Sequence, residues 1–149
     1  MLKSSHSIVI NLPINQVMDI FNNQDYFKHW QKNLVSFKNT SSSIGRVGST
    51  RSMTLKIAGA SINMTEQITQ VDLPHTWQAT YRTSGVLNEQ TNNFKETTSD
   101  SGKPVTLWEA NSTYKFTGMM RLVSKAKPDL FTGQTQQLMA DFKNFAESL

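Results

Sequence analysis

The chain contains no cysteine among its 149 residues. That excludes disulfides, thiolate nucleophiles and thiolate metal ligands together. Histidine is scarce as well: His6, His29 and His75 form no HExxH and no closely spaced pair, so no metal site is expected. Charged residues make up only 17%, and fifteen Lys and Arg against eleven Asp and Glu leave a net charge of +4. Read along the chain, the basic residues are scattered, whereas a nucleic-acid groove needs a basic stripe with exposed aromatics beside it. No nucleic-acid partner is expected. No run approaches the ~20 apolar residues of a membrane span, and Met1 to Ser7 lacks the apolar segment and cleavage site of a signal peptide. The expectation is a cytoplasmic protein without stable membrane insertion.

Motifs of common enzymes are missing too. There is no GxSxG elbow. Gly45-Arg46-Val47-Gly48-Ser49 lacks the glycine spacing, the lysine and the following helix of a P-loop. It reads as a turn or as a loop at a cavity mouth. No cofactor is expected.

What is present is alternation. Residues 1–149 suit a single domain. His6–Leu12 places His6, Ile8, Ile10 and Leu12 on one face of a strand. Pro13 then opens a short helix through Ile14, Val17, Met18 and Phe21, and Asp25–Trp30 forms a second. Further strands are expected at 34–39, 51–57, 60–71, 76–83, 86–98 and 104–116. From Phe131, apolar positions at 131, 135, 138, 142, 145 and 149 give an amphipathic helix of about five turns. Phe142 lies centrally in that stripe, and Lys143 faces solvent. Many strands with few helices argue against βαβ units and for an α+β domain.

If Ala58-Gly59 is a two-residue turn, Met53 faces Met64, Leu55 faces Ile62, and Arg51 lies opposite Glu66 on the apolar face. Two charges that would be costly alone are then partners.

Several runs in this order resemble the polyketide cyclase/dehydrase-like (SRPBCC) branch of the START-like, birch-pollen-allergen-related superfamily. They are Ile8-Val9-Ile10-Asn11-Leu12-Pro13 leading to Val17 and Phe21, then Trp30, Gly45-Arg46-Val47-Gly48-Ser49 and Thr65-Glu66-Gln67-Ile68. Tyr114 to Met120, Phe131 to Gln134 and Phe142 to Glu147 complete them. The resemblance implies a helix-grip fold: a curved seven-stranded antiparallel sheet around a long C-terminal helix, with two short helices after the first strand and a cavity between. It names no function, because the superfamily spans lipid carriers, hormone and quinone binders, cyclases, hydrolases and chaperone cofactors.

The inward faces nominate a site for a small hydrophobic or aromatic ligand, such as a lipid, quinone or polyketide-like molecule. Its candidates are Arg51, Met53, Leu55, Met64, Glu66, Trp77, Tyr81, Trp108, Tyr114, Met119, Leu138 and Phe142. The rings serve equally as stacking surfaces or as core, and Met119 and Met120 as an adaptable entrance or as packing. Non-catalytic binding is the leading reading. An enzyme of cyclase, dehydratase or hydrolase type would rely on Glu66, the one acid with a clear inward case. A protein-interaction module, such as a chaperone cofactor, is the third reading. Ligand identity, turnover and oligomeric state stay open.

Overall fold

The computed structural model describes residues Met1–Leu149. Seven strands form one antiparallel sheet: β1 (Leu2–Ile10), β2 (Leu34–Asn39), β3 (Thr50–Ile57), β4 (Ala60–Asp72), β5 (Thr76–Thr83), β6 (Val86–Thr98) and β7 (Pro104–Phe116). Their spatial order is β1-β7-β6-β5-β4-β3-β2. Helices α1 (Ile14–Phe21) and α2 (Phe27–Trp30) follow β1, with a 3-10 turn between them. Helices α3 (Met119–Ala126) and α4 (Asp129–Ser148) close the chain. This is the helix-grip architecture that the resemblance implies, with the seven strands that alternation places.

Local chemistry explains the registers. Ala58 and Gly59 both adopt positive φ, 51° and 82°, which is the backbone of a tight hairpin turn that twists with its strands. Ile57 therefore pairs with Ala60, Met53 with Met64 and Arg51 with Glu66. A β-bulge between Ile68 and Gln70 shifts the β4–β5 register. β1 starts four residues earlier than the alternation of apolar residues implies. Leu2 to Ser5 pair with Tyr114 to Asn111 of β7, so backbone pairing, not apolar content, sets that strand's start. Pro13 offers no capping side chain, and the Ile14 N–H of the first turn of α1 instead donates to Glu96 Oε1 at 3.0 Å.

The core lies under α1, α2 and the C-terminal half of α4. Phe21, Trp30, Trp108 and Phe142 meet there with ring centroids 4.9–5.7 Å apart, mostly edge to face as their quadrupoles favour. The buried seam of α4 is Thr135, Met139, Phe142 and Ala146, rotated slightly from the expected stripe. Leu138 and Phe131 are half-buried on an adjacent arc, and Leu149 is exposed. One helix thus serves two surfaces, a packed seam and a second face turned elsewhere. Lys143 is also more engaged than expected: its Nζ donates to Val9 O and to Glu147 Oε2, both at 2.6 Å. Glu147 in turn accepts from Asn11, tying the end of α4 to β1.

Candidate ligand-binding cavity

Between the concave face of the sheet and α4 lies a cavity of ≈ 1110 Å³, spacious for a small-molecule site. It extends along β4. One end is lined by Asn22, Ile44, Gly45 and Leu73; toward the other lie Ile57 and Ser61 beside the β3–β4 turn and Met120, which packs on Gly85 of the β5–β6 turn.

Cross-strand register arranges the wall in rows. One polar row crosses from the β2 edge to β7: Asn39 pairs with Arg51, Arg51 with Glu66, Glu66 with Tyr81, Tyr81 with Asn88 and Asn88 with Tyr114. All six line the cavity. Because side chains two residues apart share a face, the next rows toward the β3–β4 turn are set by the same alternation. They are apolar: Met53 beside Met64, then Leu55 beside Ile62. Toward the other end the wall turns polar again through Gln90 and Asn92.

The charged pair sits within the polar row. Arg51 Nη2 donates to Glu66 Oε2 at 2.9 Å, with the two residues only 7% and 4% exposed. The Arg51 guanidinium also lies 4.7 Å from the Phe27 ring centroid and 5.1 Å from that of Phe37, a cation–π arrangement. Tyr81, half-buried, flanks Glu66 on β5. Burial pushes its phenol well above the ordinary value, the Glu66 carboxylate pushes the same way, and Arg51 opposes them. Tyr81 is thus a protonated donor beside a carboxylate.

A second polar group surrounds Asn92. Its Oδ1 accepts from Trp108 Nε1 at 3.0 Å and from Gln90 Nε2 at 3.1 Å, and Ser112 Oγ donates to Gln90 Oε1 at 3.5 Å. Three buried donors on cavity-lining residues have no partner: Trp30 Nε1, Arg51 Nε and Asn92 Nδ2. No buried acceptor of the lining shares that condition. On the helix side, buried Asp141 accepts from Gln137 at 3.0 Å and lies 3.5 Å from Lys32 Nζ.

Ten of the twelve residues nominated from sequence line this space: Arg51, Met53, Leu55, Met64, Glu66, Trp77, Tyr81, Trp108, Tyr114 and Leu138. Two do not. Phe142 is fully enclosed among aromatic rings, away from the wall. Met119 is 78% exposed, and its neighbour Met120 is the residue that lines the cavity. Sequence reasoning missed Asn88, Gln90 and Asn92, whose inward direction follows by alternation from buried Phe94. It also missed Asp141, one position from the apolar stripe of α4. The three histidines lie apart: His6 contacts Thr132 O, His29 stacks on Phe145 and His75 contacts Phe94 O. No group of three His, Cys, Asp or Glu side chains is placed to hold a metal.

No protein-family model matches the chain, and no curated protein matches it by sequence. Solved structures do match. TTHA0849 from Thermus thermophilus superposes with a TM-score of 0.79 at 13% identity, covering 99% of this chain and 98% of that one. The ZhuI aromatase/cyclase from Streptomyces sp. R1128 gives 0.71 at 9% identity, covering 98% and 93%. A truncated norcoclaurine synthase from Thalictrum flavum gives 0.68 at 15% identity, covering 97% and 92%. Near-complete coverage of both chains at such low identity is a likeness of backbone alone, and the chain therefore has the helix-grip fold that these proteins share.

Proposed function

We propose that this chain binds a small apolar molecule carrying hydrogen-bond-accepting oxygens, a lipid, quinone or polyketide-like compound, inside the cavity. The observation that carries the reading is the division of the wall. A polar row spans the sheet, and Met53, Met64, Leu55 and Ile62 extend beyond it as an apolar pocket. Such a wall matches a molecule with an apolar body and an oxygenated end. Kinship with the polyketide cyclase-like branch is part of the proposal and rests on the order of landmarks along the chain. Native mass spectrometry and solvent extraction of freshly purified protein test it. A co-purifying oxygenated apolar compound, or micromolar uptake of one from a panel, is the expected result. No uptake from a panel of fatty acids, quinones and flavonoids would overturn it.

Turnover is a second reading, favoured by one juxtaposition: Glu66 beside the protonated phenol of Tyr81. A carboxylate and a phenol in one wall are suited to moving a proton on a bound carbonyl compound. Conversion of a bound ligand, lost in Glu66→Gln while binding persists, would support catalysis over storage or transport.

A further inference from the structure

Helix α3 contributes no buried residue. Met119 is 78% exposed and Leu122 68%, and Ala126 is exposed with them. At about 100° per residue these three fall on one stripe. Val123 borders it, and Met120 lies beyond Val123 and lines the cavity. Lys125 flanks the stripe about 60° beyond Leu122, Arg121 lies farther round, and Lys127 caps the helix. The helix is therefore amphipathic, with an apolar arc wider than the protein covers.

Charge is concentrated on the same segment. From Lys115 to Lys127 there are four basic residues and no acidic one, so this stretch alone matches the net charge of the whole chain, +4. Four of the fifteen basic residues thus fall within thirteen positions, on or beside a helix whose Met120 lines the cavity. The nearest acid in sequence is exposed Asp129, at the start of α4. Arg121 Nε donates to Phe116 O at 3.1 Å, which holds the guanidinium near the end of β7. Underneath, Gly85 admits Met120 so closely that an added Cβ would lie 2.6 Å from Met120 Cγ, so the inner side of α3 is seated and the outer side is free.

We propose that α3 is a docking helix for an anionic lipid bilayer, lying in the headgroup region with Met119 and Leu122 inserted and Lys125, Lys127 and Lys115 facing acidic headgroups. Eight residues are too few to span a bilayer, and an apolar stripe flanked by lysines suits the interface. The turn end of the cavity, through Met120, then faces the membrane, and an apolar ligand passes between bilayer and cavity without crossing water. The docking rests on α3 alone; the ligand's route rests on the binding function proposed above.

Flotation of the whole protein with phosphatidylcholine vesicles, with and without 30% phosphatidylglycerol, tests this. Binding should be at least tenfold tighter to the anionic vesicles and should weaken in 0.5 M salt. Met119→Asp with Leu122→Asp should abolish it, and Lys125→Glu with Lys127→Glu should reduce it at least tenfold, both at an unchanged melting midpoint. Equal binding to both vesicle types, no binding to either, or undiminished binding by the aspartate variant would overturn the proposal. So would a concentration-dependent dimer in light scattering that this variant dissolves, because the stripe would then be covered by a second copy. A soluble apolar probe, 1-anilinonaphthalene-8-sulfonate, separates the two proposals. Its uptake should be unchanged in the aspartate variant. Vesicle binding without probe uptake upholds the docking and overturns the cavity function.

Discussion

Arg51 and Glu66 meet across β3 and β4 at 2.9 Å, almost wholly out of solvent. Removing either charge strands the other in the cavity wall, which typically costs ~3–5 kcal/mol. We expect Arg51→Met and Glu66→Gln each to destabilise strongly and the double variant to cost clearly less than their sum. Denaturant titration of the four proteins gives the coupling energy, and a value of zero would remove the pair from the site's architecture. Arg51→Lys should also destabilise, because an ammonium loses the planar stacking on Phe27 and Phe37.

Phe142 is fully buried against Phe21, Trp30 and Trp108. Phe142→Ala should cost ~3–5 kcal/mol through lost burial and the void it leaves. The neighbouring control is Asn144, exposed on the same helix, where alanine should change stability by less than ~0.5 kcal/mol. Lys143 is no such control, given its bonds to Val9 and Glu147. Similar denaturant midpoints for the Phe142 and Asn144 variants would contradict the packing of α4.

The raised phenol of Tyr81 has a signed consequence for stability. The folded state holds this proton more tightly than the unfolded chain, whose tyrosines titrate near ~10. Its contribution is therefore complete below about pH 10 and is lost as pH rises through the folded value. Thermal midpoints measured from pH 8 to 11 should fall more steeply for the native chain than for Tyr81→Phe. Parallel curves would show that Tyr81 is not held protonated by its burial and by Glu66.

Ile62 lines the cavity beside Leu55, half-exposed. Ile62→Trp should narrow the apolar pocket and weaken ligand uptake at least tenfold while leaving the melting midpoint within a few degrees. Unchanged affinity in a calorimetric titration would place the ligand elsewhere.

Two turn glycines separate backbone cost from packing cost. Gly59 and Gly85 have φ of 82° and 75°, so alanine strains either by about 1–2 kcal/mol. Only at Gly85 would the new Cβ also collide, with Met120. Gly85→Ala should therefore destabilise more than Gly59→Ala in denaturant titration and should displace α3. Equal effects would argue against a seated α3.

Much of the fold was legible because the strands alternate cleanly. The boundaries of β2, β5, β6 and β7 follow from alternation and turn residues, and one turn, Ala58-Gly59, sets the Arg51–Glu66 pairing. The site was less legible, for two physical reasons. A cavity wall need not be apolar, so the inward amides of β6 carry no hydrophobic signal at all. On helices, one position is a rotation of about 100°, and that angle separates exposed Met119 from cavity-lining Met120, and core Phe142 from Asp141. Periodicity finds the inward arc, but tertiary packing decides which part of it meets the core and which meets open space.

The polar row also acts as a gauge of length. From Arg51 to Ile57 at the turn, β3 advances six residues, about 20 Å at ~3.3 Å per residue. A ligand whose oxygen is anchored at Arg51 or Glu66 has that distance for its apolar tail along β3 before it reaches the β3–β4 turn. Molecules with shorter tails leave part of the pocket unfilled, and those with longer tails must protrude past the turn. Under the proposed binding function, the cavity sorts its ligands by reach as well as by polarity.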